Sequence, residues 1–240
     1  MNAIVTLTIG DSPLWAYTLP SMAAACARHG WGFEQIETRT VNVTRFRHPV
    51  WNIAFEKFHA LDYLDQYDRI IILDSDAMMS PTCPDIFAAV PEDAIGCVME
   101  DVGRHLTNRR EWIATIKAQA LDARLEDWHE GYLNSGMVAL SRCHREAMTL
   151  DMDDIATLEV SRPAGFPSQN VTNYLARRSG FPIYDLGYKW NHMGVFSEEW
   201  NGSPNPLDSH IVHYAGLKPG PRLEQAASDF KAWYMRDVEA

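Results

Sequence analysis

Residues 69–76 read Arg-Ile-Ile-Ile-Leu-Asp-Ser-Asp, an apolar run that ends in two carboxylates one residue apart. A β-branched run after a charged residue suits a buried strand, and in open α/β sheets ligands gather beyond the carboxyl ends of such strands. Asp74 and Asp76 therefore set two hard oxygen ligands where chemistry is expected. That arrangement can hold a divalent cation, which binds a diphosphate and neutralises the charge it develops as a leaving group. The same triplet also suits an ordinary capped turn, because Asp and Ser favour strand ends and helix starts.

Outward from this run, strand and helix signals alternate. Residues 3–9 read as a strand, Gly10-Asp11-Ser12-Pro13 as a capped start, and the helix that follows runs to about His29. A second strand fits Gly32 to Thr38 and a loop follows with Pro49. Ile53 to Leu64 carries helical spacing through Phe55, Phe58, Leu61 and Leu64. Beyond the opening run, Ser80 to Pro84 leads to a short helix near Asp85 to Val90, then a buried strand at Ala94 to Met99. Residues 101–130 turn polar, with Trp112, Ile116 and Leu121 as spaced apolar points, and read as an excursion or lid over the sheet. Tyr132 to Gly136 leads into a strand at Met137 to Leu140, followed by helix-like sequence to about 158. Residues 161–168 read as a loop, 169–178 as a helix, 182–186 as a strand, 203–206 as a loop and His210 to Tyr214 as a last short strand. The alternation implies a mostly parallel sheet flanked by helices.

A chain of 240 residues can bury one substantial core, so a single domain is expected. The hydrophobic fraction of 46% excludes disorder. A net charge of −11 argues against a general binder of nucleic acid or of anionic membranes, and confines any phosphate site to a local cluster. Cys26, Cys83, Cys97 and Cys143 are scattered without a Cys-x-x-Cys pair, which points to free thiols rather than a zinc cage. No basic leader and no apolar run near about 18 residues is present, so a cytoplasmic protein without an integral membrane segment is expected. The formal glycosylation triplets at 42–44, 170–172 and 201–203 read as coincidence.

Together the motifs resemble those of retaining glycosyltransferases of the GT-A fold, glycosyltransferase families 8 and 34 in particular, over most of the chain. Val5 to Thr8 followed by Asp11 is similar to the first strand and nucleotide-binding turn of glycogenin-type members, and Ile70 to Asp76 to their Asp-x-Asp strand. Leu133-Asn134-Ser135-Gly136 is similar to their Asn-Ser-Gly element, and His213-Tyr214-Ala215-Gly216-Leu217-Lys218-Pro219 to their C-terminal motif. The His-to-Lys spacing there is closer to family 34 than to family 8.

The resemblance implies a GT-A, Rossmann-like fold, with residues 1–100 as the nucleotide-binding half and 101–240 as the donor-sugar and acceptor half. It implies that Asp74, Asp76 and His213 hold Mn²⁺ or Mg²⁺. Thr8, Ile9, Gly10, Asp11, Lys57, Asp74, Ser75, Gly216 and Lys218 would surround the nucleotide diphosphate. Asn134 would lie beside the donor sugar and Gln169 on its β face, which with Asp76 makes the catalytic set. One position departs from the pattern: the family places Asp before the Gln, and this chain has Ser168.

The activity so implied is metal-dependent transfer of a hexose or pentose from a nucleotide sugar, a UDP-sugar, with retention. The acceptor would be a glycan, lipid, protein or small molecule. Loops 101–130 and 187–206, with Trp112, Trp128, Trp190 and Trp200, are the candidates to build an acceptor pocket, against core packing as the default for each. Two other readings stand beside it. A haloacid-dehalogenase-like phosphatase also carries Asp-x-Asp after a strand, but wants Thr or Val where Met78 stands and places that strand first. A catalytically degenerate transferase-like binding domain is the other, with Ser168 as its support.

Overall fold

The computed structural model describes residues 1–40, 52–151, 166–196, 200, 202, 204–216 and 218–235. In chain order, strand β1 (Asn2–Leu7) leads to helix α1 (Trp15–His29) and strand β2 (Gly32–Ile36). A 3₁₀ helix (Ala54–Asp65) then precedes β3 (Arg69–Leu73) and β4 (Ala77–Met79). Helix α2 (Ile86–Ala89), β5 (Ile95–Met99), α3 (Leu106–Ala120), β6 (Leu133–Ser141) and α4 (Arg145–Met148) come next. The chain continues through α5 (Pro167–Arg178), β7 (Ile183–Asp185), β8 (His192–Met193), β9 (Ile211–His213) and α6 (Pro219–Tyr234).

The main sheet has the order β2-β1-β3-β6-β5-β7, and β6 alone runs against its neighbours. The mostly parallel sheet read from the alternation of elements is therefore present. Successive residues of β3 face opposite sides, as a strand's period of two requires. Ile70 joins Ala3, Val5, Phe55, Leu61, Leu64 and Leu175 on one face. Ile71 and Leu73 join Ile4, Met22, Ala25, Met79 and Ile86 on the other. Both faces are covered, which is why the run is apolar throughout.

The structure departs from the sequence reading at several elements. Phe55, Phe58, Leu61 and Leu64 recur at a strict spacing of three, and the segment is a 3₁₀ helix, whose three residues per turn align such a stripe against the core. No side chain caps α1 among the described residues. Leu14 occupies the cap position, and Ser12 Oγ receives only a long 3.4 Å contact from the Leu14 amide. Strand β6 starts four residues before the expected Met137 and is buried along all nine positions, because it lies between β3 and β5. Thus Asn134-Ser135-Gly136 sits inside a strand.

Sequence analysis missed β4, β8 and α6. The first two pair with β9 in a small second sheet, β4-β9-β8. Helix α6 carries an amphipathic stripe of Leu223, Ala226, Phe230 and Trp233 that packs over Met78, Val212 and Tyr214. Asn170 is buried within α5, so the triplet at 170–172 is no glycan acceptor, while the triplet at 42–44 and residues 201 and 203 lie outside the described residues. So do the loop expected around Pro49, the helical continuation beyond residue 151 and the loop through residue 165. All four cysteines are free. Among the described residues no helix is long and apolar enough to cross a membrane.

Candidate active site

The site grows from the end of β3. The Asp74 amide donates to the Gly136 carbonyl at 2.8 Å, and the Ala77 amide to the Asp74 carbonyl at 2.9 Å, closing a tight turn. Ser75 forms its apex, where Thr18 of α1 donates its hydroxyl to the Ser75 carbonyl at 2.7 Å. The chain leaves the turn as β4, whose first residue, Ala77, lies opposite His213 of β9. The Tyr214 amide donates to the Asp76 carbonyl at 3.0 Å. The small sheet thereby carries His213 across 137 residues of sequence to the acidic pair. His213 Nε2 stands 3.0 Å from Asp76 Oδ1 and 3.8 Å from Asp74 Oδ2.

Two cations complete the cluster. Lys57 Nζ lies 2.6 Å from Asp74 Oδ1 and donates to the Ser135 carbonyl at 3.2 Å. Arg222 Nη1 lies 3.4 Å from Asp76 Oδ2. Burial opposes the charge on Asp76, but His213, Arg222 and Lys57 outweigh it and hold this carboxyl at about 2. For His213 burial disfavours the imidazolium, and Asp76 and Asp74 overcome that, so its pKa is raised.

The three groups fit a divalent cation. One ligand atom from each of Asp74, Asp76 and His213 lies within 4.8 Å of the others. Two carboxylate oxygens suit Mg²⁺ or Mn²⁺, and an imidazole nitrogen tilts the set towards Mn²⁺. His213 Nδ1 is engaged by Asn191 Oδ1 at 2.9 Å, which leaves Nε2 towards the carboxylates. Gly136 makes the approach possible, since a Cβ there would stand 2.4 Å from His213 Cε1 and 2.8 Å from Asn134 Oδ1.

Behind the acids lies a cluster of buried amides. Asn134 Nδ2 donates to Glu100 Oε2 at 2.7 Å, and its Oδ1 accepts from the Gly136 amide at 2.8 Å and from Asn191 Nδ2 at 2.9 Å. Gln169 Nε2 donates to Glu100 Oε1 at 2.8 Å. Its carbonyl oxygen accepts from the Ser135 amide at 3.1 Å, from Asn134 Nδ2 at 3.3 Å and from Ser135 Oγ at 3.4 Å. Asn173, one turn further along α5, pairs with both the amide and the carbonyl of Leu133 at 2.9 Å. That pairing fixes α5, and with it Gln169, against β6.

Asp74, Asp76, His213 and Lys57 are thus in direct contact, and Asn134 and Gln169, paired with each other, join them through Asn191 and Ser135. Thr8, Ile9, Gly10 and Asp11 follow β1, which pairs with β3, so they emerge at the same edge of the sheet. Thr8 is buried, with no hydrogen-bond partner for its hydroxyl among the described residues, Gly10 turns with φ +97°, and Asp11 is exposed. Gly216 also turns at positive φ, and a Cβ there would meet Val195 at 2.9 Å. Lys218 is exposed at the start of α6. One turn later, Arg222 supplies the contact to Asp76. Ser168 is buried in the first turn of α5.

Arg222, Asn191, Glu100 and Arg109 escaped the sequence reading. Two left a usable signal. Arg222 lies four residues from Lys218 on one helical face, and Glu100 is an acid closing an apolar strand, as Asp74 is. Trp128 and Trp190 are core residues. Trp112 lies edge-on to Tyr132, and Trp200 stacks between Tyr188 and Phe196.

A twisted, mostly parallel sheet with an acidic pair beyond its central strand is the architecture of the GT-A glycosyltransferases. Residues 31–220 match the family described as Glycosyl transferase family 8, and the chain belongs to that family. No match is found among curated proteins. Among solved structures, a glycosyltransferase involved in glycosylation of the major capsid of PBCV-1 superposes with a TM-score of 0.61 at 15% identity, covering 95% of this chain and 98% of that one. The galactosyltransferase LgtC, solved with donor and acceptor sugar analogs, gives 0.61 at 12% identity over 97% and 96%. Mouse xyloside xylosyltransferase 1 gives 0.54 at 14% identity over 90% and 98%. These likenesses carry the fold, and the family makes the protein a glycosyltransferase.

Proposed function

We propose that this glycosyltransferase is metal-dependent and moves a hexose or pentose from a UDP-sugar to its acceptor with retention of configuration. The observation that carries the reading is the convergence of Asp74, Asp76 and His213 at the carboxyl end of β3. In this reading Asp74, Asp76 and His213 hold Mn²⁺ (or Mg²⁺), which when bound supplies Lewis-acid neutralisation of the leaving diphosphate. Lys57 and Arg222 pair with the carboxylates from two sides and, with Lys218, add positive charge for phosphate oxygens. Thr8, Ile9, Gly10 and Asp11 line the nucleotide end, and Ser75 and Gly216 bring backbone close to the phosphates. Residues 1–100 then serve the nucleotide and 101–240 the donor sugar and acceptor.

The amides constrain the chemistry. The Gln169 carbonyl oxygen already accepts from three donors, which withdraws electron density and weakens it as a nucleophile. This supports substitution on one face, in which the acceptor oxygen bonds to the anomeric carbon as the bond to the diphosphate oxygen breaks. The acceptor proton then passes to the departing phosphate. Gln169 and Asn134 act as dipoles beside the sugar. LgtC and the mouse xylosyltransferase are named for a hexose and a pentose, which supports both donor classes. Four free thiols support a reducing, cytoplasmic setting.

The test is UDP release from a panel of UDP-sugars in Mn²⁺. Asp76→Asn is expected to cost at least about 100-fold in rate, because several kcal/mol of leaving-group stabilisation depend on the cation. If no UDP-sugar binds or is hydrolysed, and Asp76→Asn behaves as the parent, the reading fails.

A further inference from the structure

The buried amides behind the metal ligands form a hydrogen-bond chain with only one permitted direction. It starts at Glu100, where Oε1 accepts from Arg109 Nε at 2.7 Å and from Gln169 Nε2 at 2.8 Å. A carboxylate accepts and does not donate. The group of Asn134 that meets Oε2 at 2.7 Å must therefore be its NH₂, which turns its carbonyl oxygen towards Asn191. The Gly136 amide, donating to the same Asn134 oxygen at 2.8 Å, demands that orientation independently. Asn191 must then present its NH₂ to Asn134 and its oxygen to His213, 2.9 Å away. The ring nitrogen facing that oxygen, Nδ1, has to carry the hydrogen. Flipping either amide would set oxygen against oxygen. Asn191 is fully buried, and Glu100, Asn134, Gln169 and His213 are each more than nine-tenths buried, so water does not relieve a wrong arrangement.

We infer that Glu100, acting through Asn134 and Asn191, fixes the tautomer of His213 and keeps the Nε2 lone pair aimed at the cation held by Asp74 and Asp76. Glu100 and Asn191 are positioning residues, acting through their hydrogen bonds to Asn134, Gln169 and His213. Because Gln169 shares the Glu100 carboxylate, the same carboxylate orients a residue placed beside the donor sugar and a ligand of the cation. Arg109, lying 4.0 Å over the Trp112 ring on α3, holds the far end. The inference rests on the metal-dependent reading for its consequence and on hydrogen-bond direction for the Nδ1 hydrogen; Nε2, 3.0 Å from Asp76 Oδ1, faces an acceptor too and would give up its hydrogen when the cation is bound.

The experiment compares the parent with Glu100→Gln, Asn191→Ala and a core control away from the chain, Phe87→Leu. The ¹⁵N spectrum of the His213 ring is recorded in metal-free protein carrying Asp76→Ala, which removes the competing acceptor at Nε2, at a pH where the ring is neutral, and Mn²⁺ affinity is titrated without donor and with Asp76 in place. The parent and Phe87→Leu are expected to show the Nδ1–H tautomer. Glu100→Gln, which admits a donor in place of an oxygen, and Asn191→Ala, which removes the last link, are expected to show a mixture and to bind Mn²⁺ about 10- to 100-fold more weakly. Either variant alone suffices should the other not fold. The inference is overturned if His213 keeps the Nδ1–H form in the variants, whether or not the affinity changes. A parent that binds no Mn²⁺ would remove the metal-dependent reading, while the ring spectra would still decide the tautomer.

Discussion

Gly136 sets how closely the His213 ring can lie against β6. A methyl group there would overlap His213 Cε1 at 2.4 Å, and β6 is held on both sides, so the ring has to move. Gly136→Ala is expected to lower Mn²⁺ affinity by at least about 10-fold, since a shifted imidazole loses its aim at the carboxylates. The overpacking should cost about 1–3 kcal/mol in urea unfolding. An unchanged affinity would show that His213 is not a ligand. At this scale Asp74, Asp76, Asn134 and His213 were legible because each sits in a short motif. Asn191 was not. Nothing in Lys189-Trp190-Asn191-His192 marks one polar residue among the others, and its importance comes from lying between His213 and Asn134.

The elements show the same division. The three-residue spacing of Phe55, Phe58, Leu61 and Leu64 is in the sequence, and a strict period of three is a 3₁₀ signal rather than an α-helical one. Helix α6 was missed although Pro219 opens it and its apolar stripe is regular. It is anchored by a buried pair: Tyr214 donates to Asp229 Oδ2 at 2.9 Å, and Gln225 to Oδ1 at 2.8 Å. Burial raises the Asp229 pKa against both bonds. Tyr214→Phe leaves that carboxyl with Gln225 alone in its pocket and is expected to cost about 1–3 kcal/mol, measured by urea unfolding. Since α6 also carries Arg222, the variant should weaken donor binding as well. Full retention of both properties would show that α6 docks without this pair.

For the whole molecule, stability depends on keeping buried histidines neutral. Burial lowers the pKa of His192 to about 4, and those of His144 and His210 also fall below the ordinary 6.5. Between about 4 and 6.5 the unfolded chain binds a proton at His192 that the folded chain does not. Stability therefore rises with pH there, and is lost as the pH falls through that window. From pH 7 to pH 5 the His192 share is about 2 kcal/mol. His192→Asn should flatten the pH dependence of the urea midpoint by that amount, and an unaltered slope would contradict it. The lowered Asp76 acts in the same sense nearer pH 2, while the raised His213 adds stability at low pH that is lost as pH rises through its titration.

The sequence by itself determined the layered α/β architecture, because apolar periodicity and strand-end acids follow from local geometry and burial. It also supplied the motifs that make a family 8 glycosyltransferase recognisable. Only the tertiary structure decided which polar groups work together. The pairing of β4 with β9 brings His213 to Asp76, α6 sets Arg222 against that carboxylate, and Glu100 governs an amide chain ending at His213. Hydrogen bonds and ion pairs form between groups about 3 Å apart in space, and separation along the chain leaves no trace of such proximity in local sequence.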